Sequence, residues 1–171
     1  MKFNLLAEIK DEVYPKKKIK KVRCAVRALC FNDKNQVAII HVKGKDNFGV
    51  KDYYELPGGG VEENEAPLQA LSREMGEELG VKIKNIKKLG MITYDFNILE
   101  LKTIAYYFAC KVNGKTKQNW TKIEQDQIEE IEWVDLKKLE SILKHHPVKL
   151  VGEIIHAREL IALKAYLKLN K

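Results

Sequence analysis

Three glutamates within five residues, Glu74, Glu77 and Glu78, are the part of this 171-residue chain best suited to chemistry. On a helix turning about 100° per residue, with Glu74 at zero, Glu77 falls at about −60° and Glu78 at about +40°, so the three carboxylates share one face. Leu68, Leu71, Met75 and Leu79 form the core-facing stripe of the same wheel, and the acids are expected to border it without joining it. Like charges one turn apart repel by about 0.2–0.5 kcal/mol per pair in water, and by more beside a sheet. The alternative is an ordinary solvated acidic face. Hard divalent cations offset such repulsion best, since Mg2+ and Mn2+ prefer carboxylate, carbonyl and water oxygens. Arg73 lies one turn from Glu77 and can fix a carboxylate by a forked contact.

Positioning those acids requires a helix and a close-fitting turn before it. Asn64–Leu79 reads as that helix, with Asn64 as N-cap, Glu65 and Pro67 in the first turn and Gly80 as terminator. Just upstream, Tyr53-Tyr54-Glu55-Leu56 is an extended piece ending in Pro57 and three glycines, Gly58, Gly59 and Gly60, whose carbonyls can join the ion. Val22–Phe31 alternates as a strand with Arg23 and Arg27 on one side, and Gln36–Val42 is its expected hairpin partner across Asn32-Asp33-Lys34-Asn35. Ile86–Tyr94, Leu101–Lys111 and Ile128–Val134 read as further strands, and Asp135 caps a short helix through Leu143. Residues 148–169 carry a broad apolar surface on a last long helix, suited to covering the domain or a second copy. Strands interspersed with three helices imply a single α/β domain over residues 1–171, a mixed sheet flanked by helices.

Composition narrows the partners. At 45% hydrophobic and 32% charged, the chain has the profile of a folded globular domain. No apolar run is long enough for a membrane helix, and the first residues turn charged too soon for a secretory signal, so the expected compartment is the cytoplasm. Cys24, Cys30 and Cys110 have neither zinc-site nor disulfide spacing and are expected as small buried hydrophobes. Lys and Arg total 31 against 24 acids, and thirteen of the basic residues precede residue 60, densest at Lys16, Lys17, Lys18, Lys20 and Lys21. Such a run either solubilises the surface or steers a polyanion.

Read from Gly59, the order is Gly59, five residues, Glu65, seven residues, Arg73-Glu74-Met75, one residue, Glu77-Glu78, one residue, Gly80-Val81. This resembles, position for position, the Nudix box. Its surroundings are similar too, with Glu55-Leu56-Pro57-Gly58-Gly59-Gly60 leading in and Trp133-Val134, Leu136 and Leu139 as the late strand and helix. The resemblance implies an α/β/α sandwich with a mixed sheet, here with an additional long C-terminal helix. It also implies a pyrophosphohydrolase that uses Mg2+ or Mn2+ to cleave a phosphoanhydride in a nucleoside diphosphate derivative by water attack on phosphorus.

By matching position, the resemblance makes Glu74, Glu77 and Glu78 metal ligands together with the carbonyl of Gly58 or Gly59, Arg73 the orienter of Glu74, and Glu65 an indirect contributor. Glu74 is one candidate for the base. Glu124, Asp126 and Glu129, before the strand containing Trp133, are others, while Gln127 stands where an acid is expected. Arg23 and Arg27 can contact phosphate or base, and Tyr53 or Tyr54 can stack on a base or pack in the core. The upstream coenzyme A pattern and the proline of ADP-ribose hydrolases, whose place Asp95-Phe96-Asn97-Ile98 fills, are missing. The expected substrate is therefore a (deoxy)nucleoside triphosphate or related small nucleotide. The alternatives are the 5′ triphosphate of an RNA and nucleotide sensing without turnover; a homodimer through the last helix is also open.

Overall fold

The computed structural model describes residues 2–46 and 49–170. Along the chain run β1 (Leu5–Ile9), β2 (Lys21–Phe31), β3 (Val37–Asp46), β4 (Gly49–Glu55), α1 (Pro67–Leu79), β5 (Val81–Phe96), β6 (Leu101–Lys115), α2 (Lys122–Gln127), β7 (Ile128–Val134), α3 (Leu136–His145) and α4 (Val151–Leu169). The strands form one seven-stranded sheet in the order β1-β5-β6-β2-β3-β4, with β7 also paired to β3. Pairing is mixed: β2 runs parallel to β6, and β1 parallel to β5, while the rest are antiparallel.

Strand β2 explains the layering. Its even residues Val26, Ala28 and Cys30 pack with Leu71 and Met75 of α1, Phe108 and Cys110. Its odd residues Ala25, Leu29 and Phe31 pack on the other side with Leu139 and Leu143 of α3 and Ile154, Ala162 and Leu163 of α4. A strand buried on both faces must be largely apolar on both, as this one is beyond Cys24 apart from Arg27, which turns to Glu55 and the Leu56 carbonyl. The result is the expected α/β/α sandwich with its extra C-terminal helix. Cys30 and Cys110 are buried there as free thiols, and Cys24 is half-buried. Among the described residues no helix is long and apolar enough to cross a membrane.

Several local expectations are corrected. The β2–β3 hairpin holds by the single pair Phe31↔Val37 before the strands part, because β7 and β4 take the two edges of β3. Helix α1 starts two residues later than expected: Ala66 is its N-cap, with its backbone N–H donating to Gln69 Oε1 at 2.9 Å. Asn64 instead turns the chain with φ 63°, while Pro67 opens the helix and Gly80 closes it at φ 66° as expected. The strands over 81–96 and 101–115 are longer than the apolar alternation alone suggests, since pairing extends them through Lys-rich segments. Strand β1 and helix α2 add to the expected elements.

Candidate active site and family

The parting of β2 and β3 leaves part of a strand edge open, and the glycine turn fills it. Ala28 N–H donates to Pro57 O at 3.0 Å, Val26 N–H to Gly59 O at 2.9 Å, and Val61 N–H to Cys24 O at 3.0 Å. Held against β2, the turn covers the acidic face of α1. Gly59 is needed for that fit: a Cβ there would lie 2.5 Å from Glu74 Oε1. Gly58, at φ 138°, donates its N–H to Glu78 Oε2 at 2.6 Å. The Gly59 carbonyl is thus engaged by Val26 N–H.

Covering changes the acids. Glu74 and Glu78 are each 6% exposed, so they join the core boundary that the wheel places them beside, and only Glu77 stays half-exposed. Desolvation raises the Glu74 carboxyl above its usual range despite Arg73, and pushes Glu78 well above it despite the charge of Arg27. Arg73 ties the cluster together. Its Nε and Nη2 meet the two oxygens of Glu65 at 2.9 Å each, Nη1 meets Glu74 Oε1 at 2.8 Å and Glu77 Oε2 at 3.0 Å, and Nη2 also reaches Gly60 O at 2.8 Å. One guanidinium therefore compensates three carboxylates and one carbonyl. Glu65 meets Arg73 through both of its oxygens.

Hard oxygens are all that this face offers: three carboxylates, two of them buried and short of compensating charge, with a glycine turn fitted over them. That donor set fits Mg2+ or Mn2+. In the arrangement described the three carboxylates do not yet converge, because Glu74 and Glu77 share Arg73 while Glu78 faces Gly58.

A cleft of about 230 Å³, linked to the acids through Arg27, is lined by Arg23, Arg27, Lys51 and Arg158, by the carboxylates of Asp46 and Glu55, and by the apolar surfaces of Tyr53, Phe96 and Ile98. Arg23 and Arg27 share its wall as the strand alternation requires. Tyr54 does not reach it: Lys51, Tyr53 and Glu55 face the cleft, so Tyr54 falls on the opposite face of β4, stacked on His41 at 4.3 Å. Glu124 is engaged at the start of α2, where its Oε2 accepts from Thr121 N–H at 2.6 Å, and Asp126 and Glu129 are exposed. It is Gln127 that touches the cleft wall, accepting from Lys51 Nζ at 3.0 Å. Trp120 neither edges the cleft nor fills the core; its Nε1 donates to Glu78 O at 2.9 Å.

A buried ion network behind the cleft escaped the sequence reading. Arg158 is 2% exposed and meets Glu55 at 2.7 Å, Glu159 at 3.2 Å and the Tyr94 hydroxyl at 2.6 Å. Arg27 adds a 3.2 Å pair to Glu55 and donates to Leu56 O at 2.9 Å. The signal was present, since Arg158-Glu159 is an adjacent charge pair among the apolar residues of the last helix.

Comparison with known proteins agrees with this fold. The family model described as NUDIX domain matches residues 21–151. An RNA pyrophosphohydrolase of Bartonella henselae is 31% identical over 153 residues, spanning 77% of this chain and 88% of that protein. An 8-oxo-dGTP diphosphatase of Proteus vulgaris is 36% identical over 77 residues, 45% of this chain and 66% of that one. In fold, the MutT protein of Methanosarcina mazei superposes with a TM-score of 0.62 at 20% identity, covering 89% of this chain and 97% of that one. A NUDIX hydrolase of Nitrosomonas europaea gives 0.62 at 16% identity, over 85% and 88%. With the family model spanning β2 to the start of α4, and the motif residues gathered by one arginine under one glycine turn, this chain belongs to the Nudix hydrolase family.

Proposed function

We propose that this Nudix pyrophosphohydrolase cleaves the phosphate chain of a nucleoside triphosphate, releasing pyrophosphate and leaving the monophosphate. What carries the reading is the pairing of the cleft with the acids: basic side chains line it on the side of Arg27, whose charge acts on both Glu74 and Glu78. Arg23, Arg27 and Lys51 would bind phosphate oxygens, and Tyr53, Phe96 and Ile98 would take the base. The cleft is smaller than the ~300–1,000 Å³ of drug-sized sites, which suits one nucleoside with its phosphates extending toward α1.

Glu74, Glu77 and Glu78, with the carbonyl of Gly58 or Gly59, would hold Mg2+ or Mn2+. When bound, such an ion neutralises the bridging phosphates and lowers the pKa of a coordinated water. Arg73 keeps Glu74 and Glu77 oriented, and the glycine turn keeps bulk water off Glu74 and Glu78. Burial raises the proton affinity of Glu74, which suits it to take the proton as water oxygen bonds to phosphorus and the anhydride P–O bond breaks.

A second reading, the 5′ triphosphate of RNA, is supported by the Bartonella relative and by the lysine run. Lys16, Lys17 and Lys18 are exposed between Tyr14 and Arg23, both of which line the cleft. Pyrophosphate release with Mg2+ across dNTPs, oxidised dGTP and triphosphorylated RNA tests both. Glu78→Gln should lower turnover by about 10²-fold or more with the fold retained; unchanged turnover sinks the assignment. If Lys16, Lys17 and Lys18 changed to Gln leave RNA turnover and its salt dependence untouched, the RNA reading goes.

A further inference from the structure

A second constellation lies on the face of β4 turned away from the cleft. Asp52 Oδ1 is met by His41 Nε2 at 2.8 Å and by His146 Nε2 at 3.1 Å. The three residues come from β4, from β3 and from the first position after α3, so the sequence separates what the fold converges. Among the described residues they are the only group of three or more His, Cys, Asp or Glu whose ligand atoms all lie within 4.8 Å of one another. Tyr54 holds both rings, stacked on His41 at 8° between planes and edge-on to His146 at 5.0 Å, and its own N–H is fixed by His156 Nε2 at 3.0 Å.

We infer that His41, Asp52 and His146 bind a divalent transition-metal ion, Zn2+ or its chemical neighbours, at a site separate from the Nudix acids. A carboxylate only accepts, so in the metal-free form both Nε2 atoms carry protons toward one oxygen. A cation replaces those two protons as each ring shifts its proton to Nδ1. Ligand atoms about 2.1 Å from one Zn2+ stand roughly 3–4 Å apart, close to the spacing already present. Two imidazoles with one carboxylate select Zn2+, Co2+, Ni2+ or Cu2+ over Mg2+, the reverse of the all-oxygen set on α1. The Asp52 side chain is 45% exposed, against 12% for His41 and 23% for His146, so one side is open to ion entry and to water as a further ligand. Glu130, paired across from His41, and Glu132, bonded to Tyr54, add negative charge beside it. A bound ion would fasten the β3–β4 hairpin to the end of α3.

The test uses the full chain in excess Mg2+, with Zn2+ titrated against a chromophoric chelator. One Zn2+ per chain should bind, and long-range 1H–15N spectra should show the His41 and His146 Nε2 resonances moving to metal-bound positions. His146→Ala and Asp52→Asn should weaken binding by about tenfold or more, whereas Glu77→Gln should leave it in place. His146 is half-exposed and ends no strand, so its variant should stay folded; Zn2+ should raise the melting temperature of the parent and not of this variant. Absence of Zn2+ binding in Mg2+, or binding lost in Glu77→Gln and kept in His146→Ala, overturns the site.

Discussion

Arg73 is the residue that ties the candidate site together, since all three of its guanidinium nitrogens are engaged and its partners are the acids themselves. Arg73→Lys keeps the charge but not the fork, so it should lower turnover by about 10²-fold while circular dichroism stays that of the parent. Gly59→Ala puts a methyl group against the Glu74 carboxylate and should cost activity to a similar degree, read as kcat at saturating nucleotide. Helical periodicity made the shared face of Glu74, Glu77 and Glu78 and the reach of Arg73 to Glu77 legible from the sequence, whereas the tie of Arg73 to Glu65, which precedes α1, was not. Burial of Glu74 and Glu78 was not legible. It depends on the turn over residues 57–61 lying on β2, a contact between segments some thirty residues apart that no local pattern encodes.

Among the elements, α1, α3 and β7 follow from apolar periodicity and caps, and Asp135 caps α3 as its type and position imply, accepting from Lys138 N–H at 2.8 Å. The hairpin, held by the single pair Phe31↔Val37, is shorter than expected for a different reason. Sequence neighbours usually pair, but β2 finds its long partner in β6, eleven residues in register, and β3 is claimed by β4 and β7. Helix α4 and strand β4 are joined through His156, whose ring accepts from Tyr54 N–H and whose pKa falls to about 4, chiefly through burial and secondarily through the charge of His146. A depressed pKa means the native state holds the neutral ring. Its contribution is complete above the unfolded value near 6.5 and is lost as pH falls through about 4. Thermal unfolding between pH 7 and pH 4 should therefore show a steeper loss of stability for the parent than for His156→Gln.

At the scale of the molecule, the matched family region ends at residue 151, and α4 lies almost wholly beyond it. That helix does more than cover the sheet, because it inserts Arg158 and Glu159 behind the cleft, where Glu55 and Arg27 complete the charges. Arg158→Met would leave the buried Glu159 carboxylate without its cation while Glu55 keeps Arg27, and urea unfolding should show a loss of about 3–5 kcal/mol. Its inward apolar residues, Ile154, Ile155, Ala162 and Leu163, are buried within the same chain. The glycine turn, meanwhile, occupies a place in the sheet that a strand would otherwise fill. Amide protons of Val26 and Ala28, deep in the central strand, are thereby bonded to carbonyls of this turn and not to a neighbouring strand. Their deuterium uptake would report each opening of the turn, giving a backbone clock for exposure of Glu74 and Glu78 in a region where slow exchange would ordinarily signal only global unfolding.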